Sequence, residues 1–137
     1  MKQFLFDTNV IISAHLLKHS ISRKAFDIAF EKGLVIYSEE TLEELAATFI
    51  HSKFDKYISL ESRLSAISEF EKRSYSIQIK TTVNVSRDNK DNKFLSLALS
   101  ASADCIITGD KDLLVLHPFQ TIPILSPAEY LSSPLIK

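Results

Sequence analysis

The residues best suited to chemistry are acids that follow hydrophobic runs. "FLFDTNVII", from Phe4 to Ile12, is broken by a carboxylate, a hydroxyl and an amide at Asp7, Thr8 and Asn9. After "LVIY" comes "SEETLEEL", with Glu39, Glu40, Glu43 and Glu44. "SRDNKDNKF" carries Asp88 and Asp91, and "TGDKDLL" carries Asp110 and Asp112. Each acid alone has a plain structural explanation. An Asp at a strand-to-helix junction is a common N-cap, a reading that suits Asp91 and Asp110. Glutamates along a helix are usually a solvated face, which accounts for most of residues 39, 40, 43 and 44. Asp7 is harder to explain this way, because it ends a run with the character of a strand buried on both faces. Taken together, several carboxylates at one edge repel each other and raise their own pKa values. Divalent metal offsets that repulsion. Mg²⁺ takes oxygen ligands in near-octahedral geometry and keeps several waters, and Mn²⁺ accepts similar ligands. Such an ion lowers the pKa of a water and stabilises charge on a displaced oxygen, which suits phosphodiester hydrolysis.

The elements that must position these acids alternate between strand and helix. Residues 3–7 read as a buried strand, and 10–18 and 22–32 as helices, the second with Ala25, Phe26, Ala29 and Phe30 at helical spacing. Gly33 ends that helix and 34–37 is a short strand. Ser38 can cap a helix that carries Leu42, Leu45, Ala46 and Phe49 on one face. A helix over 59–73 shows Leu60, Leu64, Ile67 and Phe70. The next strand falls at 75–80 or at 82–86, a helix runs from about 91 to 102, and 105–108 is a strand followed by a short helical turn through Leu113 and Leu114. Residues 122–125 form the last strand, and Pro127 opens a last short helix. This alternation predicts an α/β fold with a parallel sheet and right-handed crossovers. Such sheets place their sites outside the carboxyl ends of the strands, at the switch in strand order. Asp7 and the other acids belong to that edge.

The chain has 137 residues, the size of one domain, with 45% hydrophobic and 24% charged residues, ordinary globular values. Its net charge of −1 provides no global field for nucleic acid or membrane, so a polyanion would have to be met by a local basic patch or through metal. The single cysteine, Cys105, excludes an internal disulfide, reads as a small buried hydrophobe and fits a reducing cytoplasm. No secretory signal and no membrane-length apolar run is visible. There is no G-x-G-x-x-G, P-loop or G-x-S-x-G. His15, His19, His51 and His117 are scattered without zinc spacing and read as surface or packing residues.

At this point the residues resemble a known family, the PIN-domain nucleases, over essentially the whole chain. "FLFDTNVIIS" resembles the family's opening strand and D-T-N-V signature, and "SEETLEEL" resembles its second acidic segment, in which Glu44 matches the functional glutamate. "DNKFLSLALSASADCIITGDKDLL" resembles the remainder, an aspartate opening a helix and then a strand ending in T-G-D. The closest likeness is to the toxin branch of toxin–antitoxin systems, relatives of the VapC-type ribonucleases. The resemblance implies a three-layer α/β/α PIN-like fold, with a central parallel sheet of four to five strands and helices on both faces. It implies one nuclease domain over residues 1–137. It also implies that Asp7, Glu44, Asp91 and Asp110 are the acidic quartet around Mg²⁺ or Mn²⁺. Asn9 and Thr108 match residues that orient the acids, Asp112 is a further candidate ligand, and Asp88 supports its loop. The chain departs from the branch in having Asn89 where a proline is usual, which touches loop stiffness rather than ligation.

The implied substrate is RNA, and the implied partners are a cognate antitoxin and a second copy of the chain, with no membrane. From the residues alone, phosphodiester chemistry is supported without a choice of RNA over DNA. Lys18, His19, Arg23 and Lys24, with Lys53 and Lys56, are candidate backbone contacts, although any one of them also reads as a solvated charge. Three rivals remain at this point: a phosphohydrolase acting on monoesters with the same acids, a PIN scaffold that binds RNA or protein without cleaving, and acids that only cap helices.

Overall fold

The computed structural model of the protein describes residues 1–85 and 89–137. The strands are β1 (Gln3–Phe6), β2 (Leu34–Tyr37), β3 (Tyr75–Ser76), β4 (Cys105–Ile107) and β5 (Ile124–Leu125). The helices are α1 (Thr8–Leu16), α2 (Ile21–Lys32), α3 (Glu39–Phe49), α4 (Leu60–Arg73), α5 (Asn92–Ala101), α6 (Lys111–Leu114) and α7 (Pro127–Leu131). The strands pair in the order β3-β2-β1-β4-β5, and every pairing between them is parallel.

Side chains on a strand alternate faces, so each strand feeds two cores. Phe4, Phe6, Val35, Cys105 and Ile107 point to the side covered by α1, α2, α3 and the ring of Tyr130. Leu5, Ile36, Ile106 and Ile124 point to the side covered by α5 and Leu113 of α6. The result is the three-layer arrangement expected. The chain leaves β1 toward β2 on one side and later returns to β4 on the other. The order therefore reverses between β1 and β4, and the loops after these two strands splay apart to leave a crevice.

Several boundaries differ from the sequence reading, each for a local reason. Helix α1 begins at Thr8, not at residue 10, because Asp7 already caps it, accepting from the Val10 amide at 2.9 Å. The polar interruption after β1 is thus a helix start. Strand β3 is only Tyr75–Ser76. Beyond it the backbone leaves the sheet and lies along α5, whose side chains take over the pairing. Ser100 Oγ accepts from the amides of Lys80 and Thr81, Ser96 Oγ from Val83, and Asn92 Oδ1 from Val85. The alternation in 75–80 reflects Ile77 and Ile79 packing on that second core. Residues 82–85, the described part of the alternative strand, are not a strand. Strand β5 starts at Ile124 because Pro123 has no N–H; Ile122 instead forms an antiparallel bridge with Phe119.

Helix α4 is rotated from its expected face. Leu60 and Leu64 are exposed, while Arg63 is fully buried beside Phe70. The Arg63 guanidinium donates to the carbonyls of Phe49 at 2.8 Å, His51 at 3.0 Å and Ile58 at 3.2 Å, and pairs with Asp55. It satisfies carbonyls that the end of α3 leaves open. Cys105 is buried, and burial pushes its thiol up to about 12. No helix among the described residues is long and apolar enough to cross a membrane.

Candidate active site

Asp7 sits one residue past β1, at the mouth of the crevice. It is buried, and both its oxygens are engaged: Oδ1 accepts from the Val10 amide and Oδ2 from the Thr108 hydroxyl. Thr108, one residue past β4 and fully buried, also accepts from the Asp110 amide at 3.0 Å. One hydroxyl therefore fixes the spacing between Asp7 and the turn that carries Asp110. Burial raises the Asp7 pKa above the ordinary carboxylate value. The bonds from Thr108 and Val10 oppose that rise, and the charges of Asp110 and Glu44 add to it.

Asp110 caps α6, accepting from the Asp112 amide at 2.8 Å. Asp91, buried, stands at the N-cap position of α5 after a 3₁₀ turn over Asn89–Asp91, yet its side chain makes no cap bond to that helix. Asp91, Asp110 and Asp112 each offer a ligand atom, and these atoms lie within 4.8 Å of one another. An all-oxygen set of this kind fits a hard divalent cation, with room for waters and substrate oxygens. Glu44 approaches from α3. The Thr8 hydroxyl donates to its Oε2, and the Lys93 ammonium lies 2.7 Å from its Oε1. Glu39, Glu40 and Glu43 are exposed, as a solvated face should be.

The expected quartet thus lies around one crevice. Thr8, Asn9, Glu44, Asp91 and Asp110 line a cleft of about 410 Å³. Asp7, Asn9 and Asp110 line its neighbour of about 320 Å³, together with Ser13, Ser22 and Pro127. Thr108 holds Asp7, whereas the Asn9 amide is exposed and hydrogen-bonds none of the described acids. Asp88 lies outside the described residues. Arg23 is engaged with Asp27 and the ring of Phe26, while Lys18, His19 and Lys24 are exposed. Lys53 and Lys56 lie over Phe54 and Tyr57. The histidines are structural where they are engaged. His15 packs on Phe26, His51 caps a 3₁₀ turn, and His117 accepts from the Ile124 amide.

Sequence reasoning assigned no role to Thr8 or Lys93. Thr8 stands between two polar residues that were singled out, so a signal existed. Lys93, at a helix start, reads as a solvated charge, and only the fold brings it to Glu44.

An α/β protein with acids crowded at the switch point of a parallel sheet is a recognisable class. The sequence profile of the PIN domain matches residues 3–112, and the chain belongs to the PIN-domain nuclease family. An uncharacterized protein of Methanocaldococcus jannaschii, MJ1680, is 40% identical over 115 residues, covering 82% of this chain and 74% of that one. Among solved structures, PAE2754 from Pyrobaculum aerophilum aligns with a TM-score of 0.62 at 14% identity, over 96% of both chains. VapBC2 from Rickettsia felis, solved bound to a DNA fragment from its promoter, aligns with a TM-score of 0.58 at 18% identity, over 90% of this chain and 97% of that one. Likeness at these identities establishes the fold.

Proposed function

We propose that this chain, as one PIN-like domain over residues 1–137, is a metal-dependent endoribonuclease and the toxin of a toxin–antitoxin pair. The observation that carries the reading is the convergence of Asp91, Asp110 and Asp112 beside Asp7 and Glu44, where folding alone has no use for crowded carboxylates. Asp7, Glu44, Asp91 and Asp110 form the catalytic acidic set. Asp91, Asp110 and Asp112 are the ligands that the geometry favours most, and Asp7 and Glu44 complete the set from either side. Mg²⁺ or Mn²⁺ bound there would supply activation of water and stabilisation of the displaced oxygen. The residues supply position. Thr108 and the Val10 amide hold Asp7, Thr8 holds Glu44, and Asp110 is fixed by the turn it caps.

Membership of a nuclease family and the likeness to VapBC2 support nucleic acid as substrate and an antitoxin as partner. A homodimer and a cytoplasmic location complete the proposal. The test is cleavage of single-stranded RNA and DNA oligonucleotides in Mn²⁺, Mg²⁺ and EDTA. RNA should be cut internally with metal and left intact in chelator. Full cleavage in EDTA by nuclease-free protein, or release of inorganic phosphate from monoesters without cutting of RNA, would reject the reading.

A further inference from the structure

The cleft on the α3–α5 side holds a cation that the acidic set does not require. Lys93 lies two residues after Asp91, on the first turn of α5, and its ammonium is 2.7 Å from Glu44 Oε1. The pair is largely enclosed, with side-chain exposures of 21% for Lys93 and 23% for Glu44. Glu44 is fixed on its other oxygen by the Thr8 hydroxyl. The carboxylate is therefore clamped from both sides, and it holds the side chain of Lys93 at the wall of the cleft that Lys90, Asp91 and Asp110 also line. An ammonium has three donors and no acceptor. Glu44 takes one, and Lys93 lines the cleft.

Electrostatics gives this position a use. Asp91, Asp110 and Asp112 converge at this site, and a phosphate entering it brings further negative charge toward them. A fixed cation at the wall offsets that charge at close range. We propose that Lys93 is a substrate-contacting residue: its ammonium, held in place by Glu44, donates to a nonbridging oxygen of an RNA phosphate in the cleft. In this arrangement Glu44 serves as the holder of Lys93 as well as a member of the acidic set. The proposal rests on the nuclease reading above. It differs from a plain staple between α3 and α5, because a staple requires the pair but no ligand.

The test measures binding rather than turnover. Fluorescein-labelled single-stranded RNA is titrated with wild type, Lys93→Gln and Lys93→Arg in Ca²⁺, a hard cation that takes the same oxygen ligands, over a series of salt concentrations, followed by anisotropy. Lys93→Gln should bind roughly tenfold more weakly at low salt, the scale of one charge-assisted hydrogen bond. Its slope of log affinity against log salt should be shallower by about 0.7, the value for one lost phosphate contact on a single strand. Lys93→Arg, which keeps the charge and the pairing with Glu44, should retain both affinity and slope. Thermal melts and Mn²⁺ calorimetry on the same proteins should show a folded Lys93→Gln that still binds metal. Wild-type affinity and slope in Lys93→Gln would overturn the proposal, and so would a wild type that binds no RNA in Ca²⁺. Either result would leave metal-dependent cleavage, the test of the nuclease reading, standing on its own.

Discussion

At the amino ends of the strands, Asp104 accepts a hydrogen bond from the Gln3 amide at 2.7 Å, and its own amide donates to the Gln3 carbonyl at 2.8 Å. Gly33 fits there against Lys2, whose carbonyl accepts from the Leu34 amide at 2.8 Å. Every group named here has a backbone partner, and the one carboxylate is used to join β1 to β4. At the carboxyl ends of the same strands, Asp91, Asp110 and Asp112 face one another, and Asp7 lies buried under the charge of Asp110 and Glu44. An acid at a strand end is therefore not in itself a signal of function. Crowding is the signal, because like charges brought together oppose folding unless something else holds them.

The two edges should differ most in activity. Asp91→Asn or Asp110→Asn should lower RNA cleavage by about a hundredfold or more, the scale of losing a group that supports charge in the transition state. Each should still melt cooperatively. Asp104→Ala should leave cleavage per folded molecule unchanged. Rates that fall equally for both kinds of variant would erase the distinction between the edges.

Metal should act on one edge alone. An ion that binds only the folded protein stabilises it by about 2.7 kcal/mol when free metal is a hundredfold above Kd. For a domain of this size that is a rise of several degrees in melting temperature. Mn²⁺ should produce that rise in wild type and in Asp104→Ala, but little in Asp110→Asn. Equal rises in all three proteins would place the ion elsewhere.

The amino edge can be broken on its own. A Cβ at Gly33 would stand 2.4 Å from the Lys2 carbonyl oxygen and 2.9 Å from the Phe4 ring. The backbone there is extended, with φ −169°, so the obstacle is space rather than conformation. Gly33→Ala should therefore lose about 1–3 kcal/mol of stability through overpacking. Mn²⁺ should raise its melting temperature as much as it raises that of wild type. A Gly33→Ala protein that melts like wild type would mean that β1 and β2 shift apart freely.

Much of this was legible in the sequence, because alternating strands and helices imply a parallel sheet, and a parallel sheet gathers its strand-end residues on one edge. Phe4, Phe6 and Leu5 could be placed in a buried strand, with Asp7 at its carboxyl end, without coordinates; the structure ends β1 one residue earlier, at Phe6. What the sequence did not show are the partnerships that depend on rotation and reach. The Arg63 guanidinium turns inward to carbonyls at the end of α3 and just beyond it, while Leu60 and Leu64 face outward, against the apolar pattern. The run after Tyr75 alternates like a strand, but past Ile77, whose amide reaches the Tyr37 carbonyl, the amides of Lys80, Thr81, Val83 and Val85 are taken by serines and an asparagine on α5. Lys93 meets Glu44 across 49 residues of chain, a pairing that no local pattern encodes.

The smallest effect separates the two edges by sign. Asp7 and Asp104 both accept a backbone N–H, so a simple cap reading predicts that removing either carboxylate destabilises. Asp104→Ala should follow that rule and lose about 1 kcal/mol, since the Gln3 amide is left without its acceptor. Asp7→Asn should not. The amide keeps an oxygen for the Val10 N–H and a donor for Thr108, but it removes a charge whose ionised form burial and the neighbouring acids disfavour. The pH dependence follows from the same shift. The folded protein holds the Asp7 proton more tightly than the unfolded chain does, so the folded form binds more protons. Stability falls as pH rises from the unfolded carboxylate value, about 4, through the raised folded value. Above that window the whole loss is present in metal-free wild type, and Asp7→Asn escapes it. Metal-free melts near neutral pH should therefore place Asp7→Asn at or above wild type and Asp104→Ala below. The advantage of Asp7→Asn should vanish in acid, where wild-type Asp7 is protonated. A destabilised Asp7→Asn at neutral pH, with no such crossover, would make Asp7 a helix cap like any other and return the two edges to equivalence.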